Sequence, residues 1–274
     1  MIVTPAPTAT TTKGVVVRNA ATIAMVWQRE LIRLKRVPSR IITGLAQPII
    51  FLFVMGGGLG ELIPPDAAGI DYQEFLFPGI LSMSIITSSL FASISVVWDR
   101  EFGFMREMLV APVSRSAIVF GKALGGGTVA VVQGLILIVA APIVGVSLTP
   151  LRALGLVFAL LLLAYALTSL GMVLATRMQR MESFQMVMTL VLQPMIFLSG
   201  AVFPLGDLPA WLAFLTRINP ASYGVDLVRR VTLEDAPALT IGGDPVPLWF
   251  DALVVLGLGS ALMALAVRLF QRTE

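Results

Sequence analysis

The sequence predicts an all-α, polytopic membrane protein with six transmembrane helices, an N-terminal interfacial helix, a cytosolic helix between two spans and short helices at the outer leaflet. Three observations carry this prediction. Of the 274 residues, 57% are apolar by type and 13% are charged, roughly half the ~25% charged share of a soluble domain. The mean hydropathy is +0.91. The apolar residues also fall in long uncharged runs, and a hydrocarbon core of about 30 Å needs about 20 such residues per helix at ~1.5 Å each.

Residues 1–17 read as a disordered tail, because Met1 to Thr12 are small, Pro/Thr-rich and uncharged and lack the apolar core of a signal peptide. Residues 18–274 form a single domain. It opens with Ile23, Trp27, Leu31 and Leu34 on one helical face and Arg29, Arg33, Arg36 and Arg40 on another, the pattern of a helix lying in the membrane interface. Pro38 ends it near Val37.

Ile41 to Gly60 and Phe75 to Trp98 are the first two spans. A third lies within Ala123 to Leu151, a fourth over Ala153 to Thr176, a fifth over Ser183 to Leu198 and a sixth over Leu248 to Phe270. Orientation follows from the basic residues beside them. With both termini inside, all 19 Lys and Arg but Arg152, Arg217, Arg229 and Arg230 are cytosolic. Glu61, Asp66, Asp71 and Glu74 stand in the first outer loop with no basic residue.

Between the second and third spans, Trp98, Phe102, Met105 and Leu109 recur at i, i+4, i+7 and i+11, which predicts one amphipathic helix ended by Pro112. Asp99, Arg100, Glu101, Arg106 and Glu107 occupy its other face, and Gly103 sits in its middle, where it favours a close approach by another chain segment. A docking surface is the functional reading of this helix. After the fifth span, Asp207 is placed to cap a helix carrying Leu208, Trp211, Leu212 and Leu215. Asn219-Pro220 then starts another, with Asp226 and Arg230 spaced for an ion pair.

Composition removes whole classes of chemistry. There is no cysteine and no histidine, so no disulfide, thiolate nucleophile, Ser-His relay or histidine metal ligand exists. The pI near 9.7 does not mark a nucleic-acid binder, because the basic residues flank apolar runs instead of clustering on a folded surface. The spans carry no charged residue near mid-membrane, which disfavours an ion-coupled carrier and suits apolar or amphipathic cargo.

The segment Trp98-Asp-Arg-Glu-Phe-Gly-Phe-Met-Arg-Glu-Met-Leu-Val-Ala-Pro-Val-Ser-Arg115, with Gly121-Lys122, Leu198-Ser-Gly-Ala-Val-Phe-Pro-Leu205, and Asn219-Pro220 followed by Tyr223, Asp226 and Arg229, resembles the type-2 permeases of ATP-binding-cassette exporters. This class includes bacterial daunorubicin-type multidrug efflux permeases, linked to antibiotic resistance, and exporters of polysaccharide or lipo-oligosaccharide. The drug-efflux branch resembles this chain best.

The resemblance implies a six-helix half-transporter in the bacterial inner membrane that pairs with a second permease copy or paralogue and with two ATPase subunits. It makes the cytosolic helix the coupling helix, with Asp99, Arg100, Glu101, Phe102, Gly103, Arg106, Glu107 and Leu109 facing the ATPase. The family's acidic residue there falls on Glu101 or Glu107, and its basic partners come from Arg29, Arg33 and Arg36. The family's second and fifth spans line the path, which implies Ser84, Thr87, Ser88, Phe91, Met188, Gln193 and Phe197 as lining residues; helix packing is the competing role for each.

The chain itself binds no cofactor in this reading, and ATP and Mg belong to the partner. Its only Gly-Lys, Gly121-Lys122, has Ser116 where a phosphate loop requires glycine, and Ala123 follows. Gly121 and Gly125 form a Gly-x-x-x-Gly spacing that reads as a packing surface. A permease for lipid-linked glycan is the alternative within the same class, and a passive channel or assembly scaffold is the distant one.

Overall fold

The computed structural model describes residues 12–37, 39–60, 72–110, 113–202, 209–233, 239–241 and 244–273. Helices α1 (Thr12–Arg36) and α2 (Ser39–Gly60) are followed by α3 (Tyr72–Ala92), α4 (Ile94–Glu101), α5 (Phe104–Val110) and α6 (Arg115–Val139). A short 3₁₀ turn (Ala141–Val144) leads to α7 (Pro150–Thr176) and α8 (Met181–Phe197). Then come α9 (Ala210–Ile218), α10 (Pro220–Thr232) and α11 (Leu248–Thr273). Two-residue strands β1 (Thr240–Ile241) and β2 (Asp244–Pro245) pair antiparallel before α11.

Among the described residues four helical stretches are long and apolar enough to cross a membrane: 74–101, 115–139, 150–176 and 248–272. Helices α1 and α2, bent by 69° at their junction and counted as one broken span, make a fifth. The expected six spans are therefore not all evident. The shortfall lies partly at α8, whose 17 residues reach only about 25 Å against a hydrocarbon core of about 30 Å.

α1 begins at Thr12, so residues 12–17 of the expected tail are helical; no proline interrupts Lys13 to Val17. Residues 1–11 lie outside the described ones, as do Glu61, Asp66, Asp71 and Asp207. The chain leaves helix at Val37, just before Pro38. The third span starts well before its expected limit, at Arg115, and therefore carries Lys122 inside it.

The predicted amphipathic helix over Trp98–Leu109 is two helices. α4 continues α3 after a turn at Ser93, and Gly103 then breaks it from α5 with φ +82°. The Phe102 N–H donates to the Trp98 carbonyl at 3.0 Å and the Gly103 N–H to that of Arg100 at 3.2 Å, closing the helix in the left-handed conformation that favours glycine. A Cβ on Gly103 would meet no atom within 4 Å, so the residue supplies a turn and not the close approach expected of it.

α3 and α7 form the buried centre, with Leu76, Leu81, Ile85, Ile86 and Leu90 of α3 and Leu156, Leu160, Leu163 and Leu167 of α7 almost wholly enclosed. The Gly-x-x-x-Gly pair packs as expected: a Cβ on Gly121 would lie 2.7 Å from the Val26 Cβ, and one on Gly125 2.6 Å from the Glu30 Cβ. α1 therefore lies directly against α6.

The two short helices differ. α9 exposes Trp211, Phe214 and Ile218, and its first turn is preceded by Pro209 in the N-cap position, without a side-chain cap. α10 is buried from Ala221 through Arg229 and so lies inside the bundle instead of resting on a leaflet. Its start is the predicted one, with the Asn219 side chain accepting from the Ala221 N–H at 3.1 Å and Pro220 in the first turn.

Candidate functional site

Three consecutive residues at the end of α4 fasten five helices together. Asp99 is 1% exposed; its Oδ2 accepts from the Arg29 guanidinium of α1 at 2.8 Å and from Lys122 Nζ of α6 at 2.5 Å. Arg100 donates to the Ala175 and Thr176 carbonyls at the C-terminus of α7 and to that of Met178 just beyond it, at 3.2, 3.3 and 2.6 Å, the end of a helix where a cation is favoured. Glu101 accepts from the Met181 N–H, the first of α8, at 2.9 Å.

A buried carboxylate is tolerable only when paired and hydrogen-bonded, and Asp99 has two cations on one oxygen. Arg29 extends the network to Glu30 at 3.4 Å, and Glu30 meets Arg33 at 3.7 Å. Lys122 also donates to the Ser95 carbonyl at 3.0 Å. The charges thus form a connected cluster at the end of the bundle where α4 ends and α6 begins.

Of the expected pairings, those with Glu101 do not form, and those with Glu107 lie outside the described residues. Arg29 does meet an acid of the segment, but that acid is Asp99, not Glu101, which faces the backbone of α8. Arg33 pairs within α1, and Arg36 stands exposed on its last turn. Phe102 stacks on Trp98, ring centroids 4.8 Å apart. The side chains of Arg106, Glu107 and Leu109 lie outside the described residues. Sequence reasoning missed Lys122 as a site residue because it counted as a flanking cytosolic charge. The usable signal was a lysine seven residues into a helix that starts at Arg115.

A cavity of about 560 Å³ opens between α2, α3 and α8. Of the expected lining residues, Ser84, Thr87, Phe91, Gln193 and Phe197 line it. Ser88 turns away and donates to the Gln133 side chain on α6, while Met188 is wholly buried in the core. Gln47, Phe51, Met83 and Thr189 add to the lining, and among the described residues no charged side chain does. Ser84 Oγ is buried with no hydrogen-bond partner, a polar atom left available beside the cavity.

One wall of the cavity is held by α10. Asn219 Nδ2 donates to the Met195 carbonyl at 2.8 Å, Ser222 Oγ to that of Leu198 at 2.9 Å and Arg229 to that of Gly200 at 2.5 Å. These carbonyls belong to the end of α8 and the turn after it, which lack helical partners. Burial pulls the Arg229 guanidinium down to about 10, against the attraction of Asp226. It therefore stays charged at neutral pH, with its centre 4.3 Å from the Phe75 ring centroid.

Nearby, Arg230 meets Asp226 at 3.1 Å, as the i, i+4 spacing predicts, and also Asp251 of α11. Its Nη1 donates to the Val246 carbonyl at 2.8 Å, and the Asp226 Oδ1 accepts from the Leu239 N–H at 3.0 Å. The ends of the bundle are thus each closed by a charged cluster. Among the described residues, the cavity between them has no charged lining.

Known proteins resemble this chain over most of its length. The model of the ABC-2 type transporter family matches residues 22–233. Nodulation protein J of Rhizobium meliloti (strain 1021) is 34% identical over 243 residues, 87% of this chain and 91% of that one. The same-named protein of Rhizobium leguminosarum bv. trifolii is 33% identical over 76% of this chain and 80% of its own. The transport permease ycf38 of Cyanophora paradoxa is 31% identical over 74% and 71%.

Proposed function

Since the chain belongs to the ABC-2 type transporter family, we propose that it is the permease subunit of an ATP-driven exporter that moves hydrophobic or amphipathic cargo outward across the bacterial inner membrane. The observation that carries the cargo class is the cavity between α2, α3 and α8, which among the described residues offers Phe51, Phe91, Phe197, Met83 and a few neutral polar groups and no charge. Such a lining solvates apolar surface, and its hydroxyls and amides can orient a polar end. It would leave a strongly charged cargo unpaired at a cost of several kcal/mol.

In this reading both termini are cytosolic and α2 and α8 complete a set of six spans. A second permease copy or a paralogue closes the open side of the cavity. Two ATPase subunits bind ATP and Mg and dock at the α4–α5 turn. The Asp99 hub suits that position, since a push on α5 reaches α1, α6, α7 and α8 through three adjacent side chains. Drug-like molecules, secondary metabolites and lipids are the cargo favoured. A lipid-linked glycan is the second reading, favoured by the coexistence of three phenyl rings with Gln47, Thr189 and Gln193 in one cavity.

The test is reconstitution of the chain with its cognate ATPase in proteoliposomes. Uptake of a fluorescent amphipathic dye and of a lipid-linked oligosaccharide is followed with and without ATP. The dye should move only with ATP, and Thr87→Trp, which fills the cavity, should stop it while basal ATP turnover continues. Movement of the oligosaccharide alone selects the second reading. Dye flux that ignores both ATP and Thr87→Trp overturns both and favours a passive channel.

A further inference from the structure

The cavity between α2, α3 and α8 is not uniform along its length. α8 starts at the Asp99 hub, where its first N–H donates to Glu101, and its Phe184 ring meets that of Phe91 at 6.3 Å between centroids. Beyond its far end, Ala201 backs onto Gly79, so α3 and α8 run antiparallel. Gly44 of α2 lies against the Gln133 side chain, which also takes the Ser88 hydroxyl. Phe91, less than one turn nearer the hub than Ser88, is the last α3 residue of the lining at that end. Phe51 and Met55, about 10 and 16 Å farther along α2 than Gly44, still line the cavity. α2 therefore leads away from the hub too.

In that direction each helix turns from polar to apolar. Gln47 gives way to Phe51 on α2, Ser84 to Ile80 on α3 and Gln193 to Phe197 on α8, and beyond these three polar residues every described lining residue is apolar. Two polar groups in the half nearer the hub lack a partner of their own. Ser84 is 3% exposed and its Oγ makes no hydrogen bond, so its desolvation is uncompensated. Pro48 has no N–H, which leaves the Gly44 carbonyl without its helical donor four residues on. A hydroxyl or amide can accept from the first and donate to the second. An ion finds no counter-charge in the described lining.

We propose that the cavity orients an amphiphile with a neutral, hydroxyl- or amide-bearing head, the head on Ser84 and the Gly44 carbonyl and the apolar tail running past Phe51 toward Phe197. Ser84 is then the residue that selects a hydroxylated head over an apolar one of the same size. The word cargo for this molecule rests on the exporter reading, in which the head faces the cytosolic end and the tail the outer end. The orientation itself rests on the lining alone.

The test uses the full chain in phosphatidylcholine nanodiscs without ATP, and a decanoyl monoglyceride carrying a photoreactive diazirine at the tip of its tail. Saturable cross-links, mapped by peptide mass spectrometry, should fall on Phe51, Met55 or Phe197 and not on Thr87 or Thr189. Ser84→Ala should raise the half-saturating concentration about fivefold, the factor of one neutral hydrogen bond. It should not lower the melting temperature, because it removes a buried hydroxyl that has no partner. The propyl ester of the same acid lacks both head hydroxyls, and Ser84→Ala should leave its binding unchanged. Tail cross-links at Thr87 or Thr189, an equal effect of Ser84→Ala on both esters, a melt that falls along with binding, or the absence of saturable labelling overturns the proposal. Ordered labelling without ATP-driven flux in proteoliposomes overturns the exporter reading and leaves the orientation standing.

Discussion

Asp99 of α4 and Lys122 of α6 hold their charges 2.5 Å apart with side chains 2% and 0% exposed. Neither residue can lose its partner cheaply, because a single buried charge left behind keeps its desolvation penalty without the compensating attraction. Asp99→Ala should therefore destabilise the folded chain by about 3–5 kcal/mol, the range for breaking a buried pair on one side. Asp99→Leu with Lys122→Met removes both charges and should recover most of that loss. Thermal melts in detergent of the unaltered chain, Asp99→Leu alone, Lys122→Met alone and the doubly altered protein, read as a double-mutant cycle, check this. Additive effects in the cycle would show that the pair is not coupled.

The same two variants separate stability from coupling. The apolar pair restores folding but removes the ionic link from Arg29 to α4, so ATP-driven dye transport in proteoliposomes should stay low even where the melt recovers. Glu101→Ala releases only a bond to the Met181 N–H from an exposed side chain, and it should weaken transport less than Asp99→Asn. Equal losses in the two would place the coupling contact elsewhere on the segment.

Much of this arrangement was legible beforehand, and the limits have physical causes. Long uncharged runs located α3, α6, α7 and α11 because the bilayer sets a minimum apolar length. The Asn219-Pro220 start and the Asp226–Arg230 pair were read from local rules of helix capping and spacing. The marks Leu198-Ser-Gly and Asn219 to Arg229 looked like separate motifs, yet two side-chain bonds to open carbonyls join them, and a third, from Asn219, reaches Met195 just before. No periodicity could have shown that link.

The misreadings share one origin. Helical periodicity continued through Gly103, so one helix was expected where a positive φ makes two. Charge was taken as a sign of exposure, which hid Asp99 and Lys122, because an ion pair between distant segments leaves no local pattern. For the same reason Asp251 gave no hint that it shares Arg230 with Asp226.

Close backbone approach gives a sharper prediction. A Cβ on Gly79 of α3 would lie 1.8 Å from the Ala201 carbonyl oxygen, and backbone on both sides leaves nothing flexible to give way. Gly79→Ala should abolish accumulation of folded protein, as judged by a monodisperse peak in fluorescence-detected size exclusion. Gly58→Ala, in α2, meets nothing within 4 Å and should be neutral or stabilising by up to about 1 kcal/mol. A normal peak for Gly79→Ala would show that α3 and the turn after α8 are not packed as described.

Gly103 invites the converse test. Its φ of +82° costs an L-residue roughly 1–2 kcal/mol, while the space around it is open. Gly103→Ala should therefore melt only slightly lower than the unaltered chain, yet it should impair ATP-driven transport by favouring a straight α4–α5 helix. Gly103→Asn tolerates the left-handed conformation better and should transport more than the alanine variant. If alanine and asparagine behave alike, the turn is not the feature that matters.

At the opposite end, Arg230 stands between Asp226 and Asp251, so removing it leaves two buried carboxylates facing one another. Arg230→Met should cost more than either Asp226→Asn or Asp251→Asn, on the order of 3–5 kcal/mol at neutral pH. Burial already holds the Asp226 carboxyl above its ordinary range, and Arg230 is the largest influence pulling it back. Without that pull the folded state favours the protonated acid still more strongly. A group raised in the folded state contributes stability that is present below its unfolded value and lost as pH rises through its folded value. The Arg230→Met protein should consequently regain melting temperature relative to the unaltered chain as the pH is lowered from 8 toward about 5, the unfolded aspartate titrating near ~3.9. A deficit that stays constant over that range would mean that the two carboxylates do not confront each other once the guanidinium is gone.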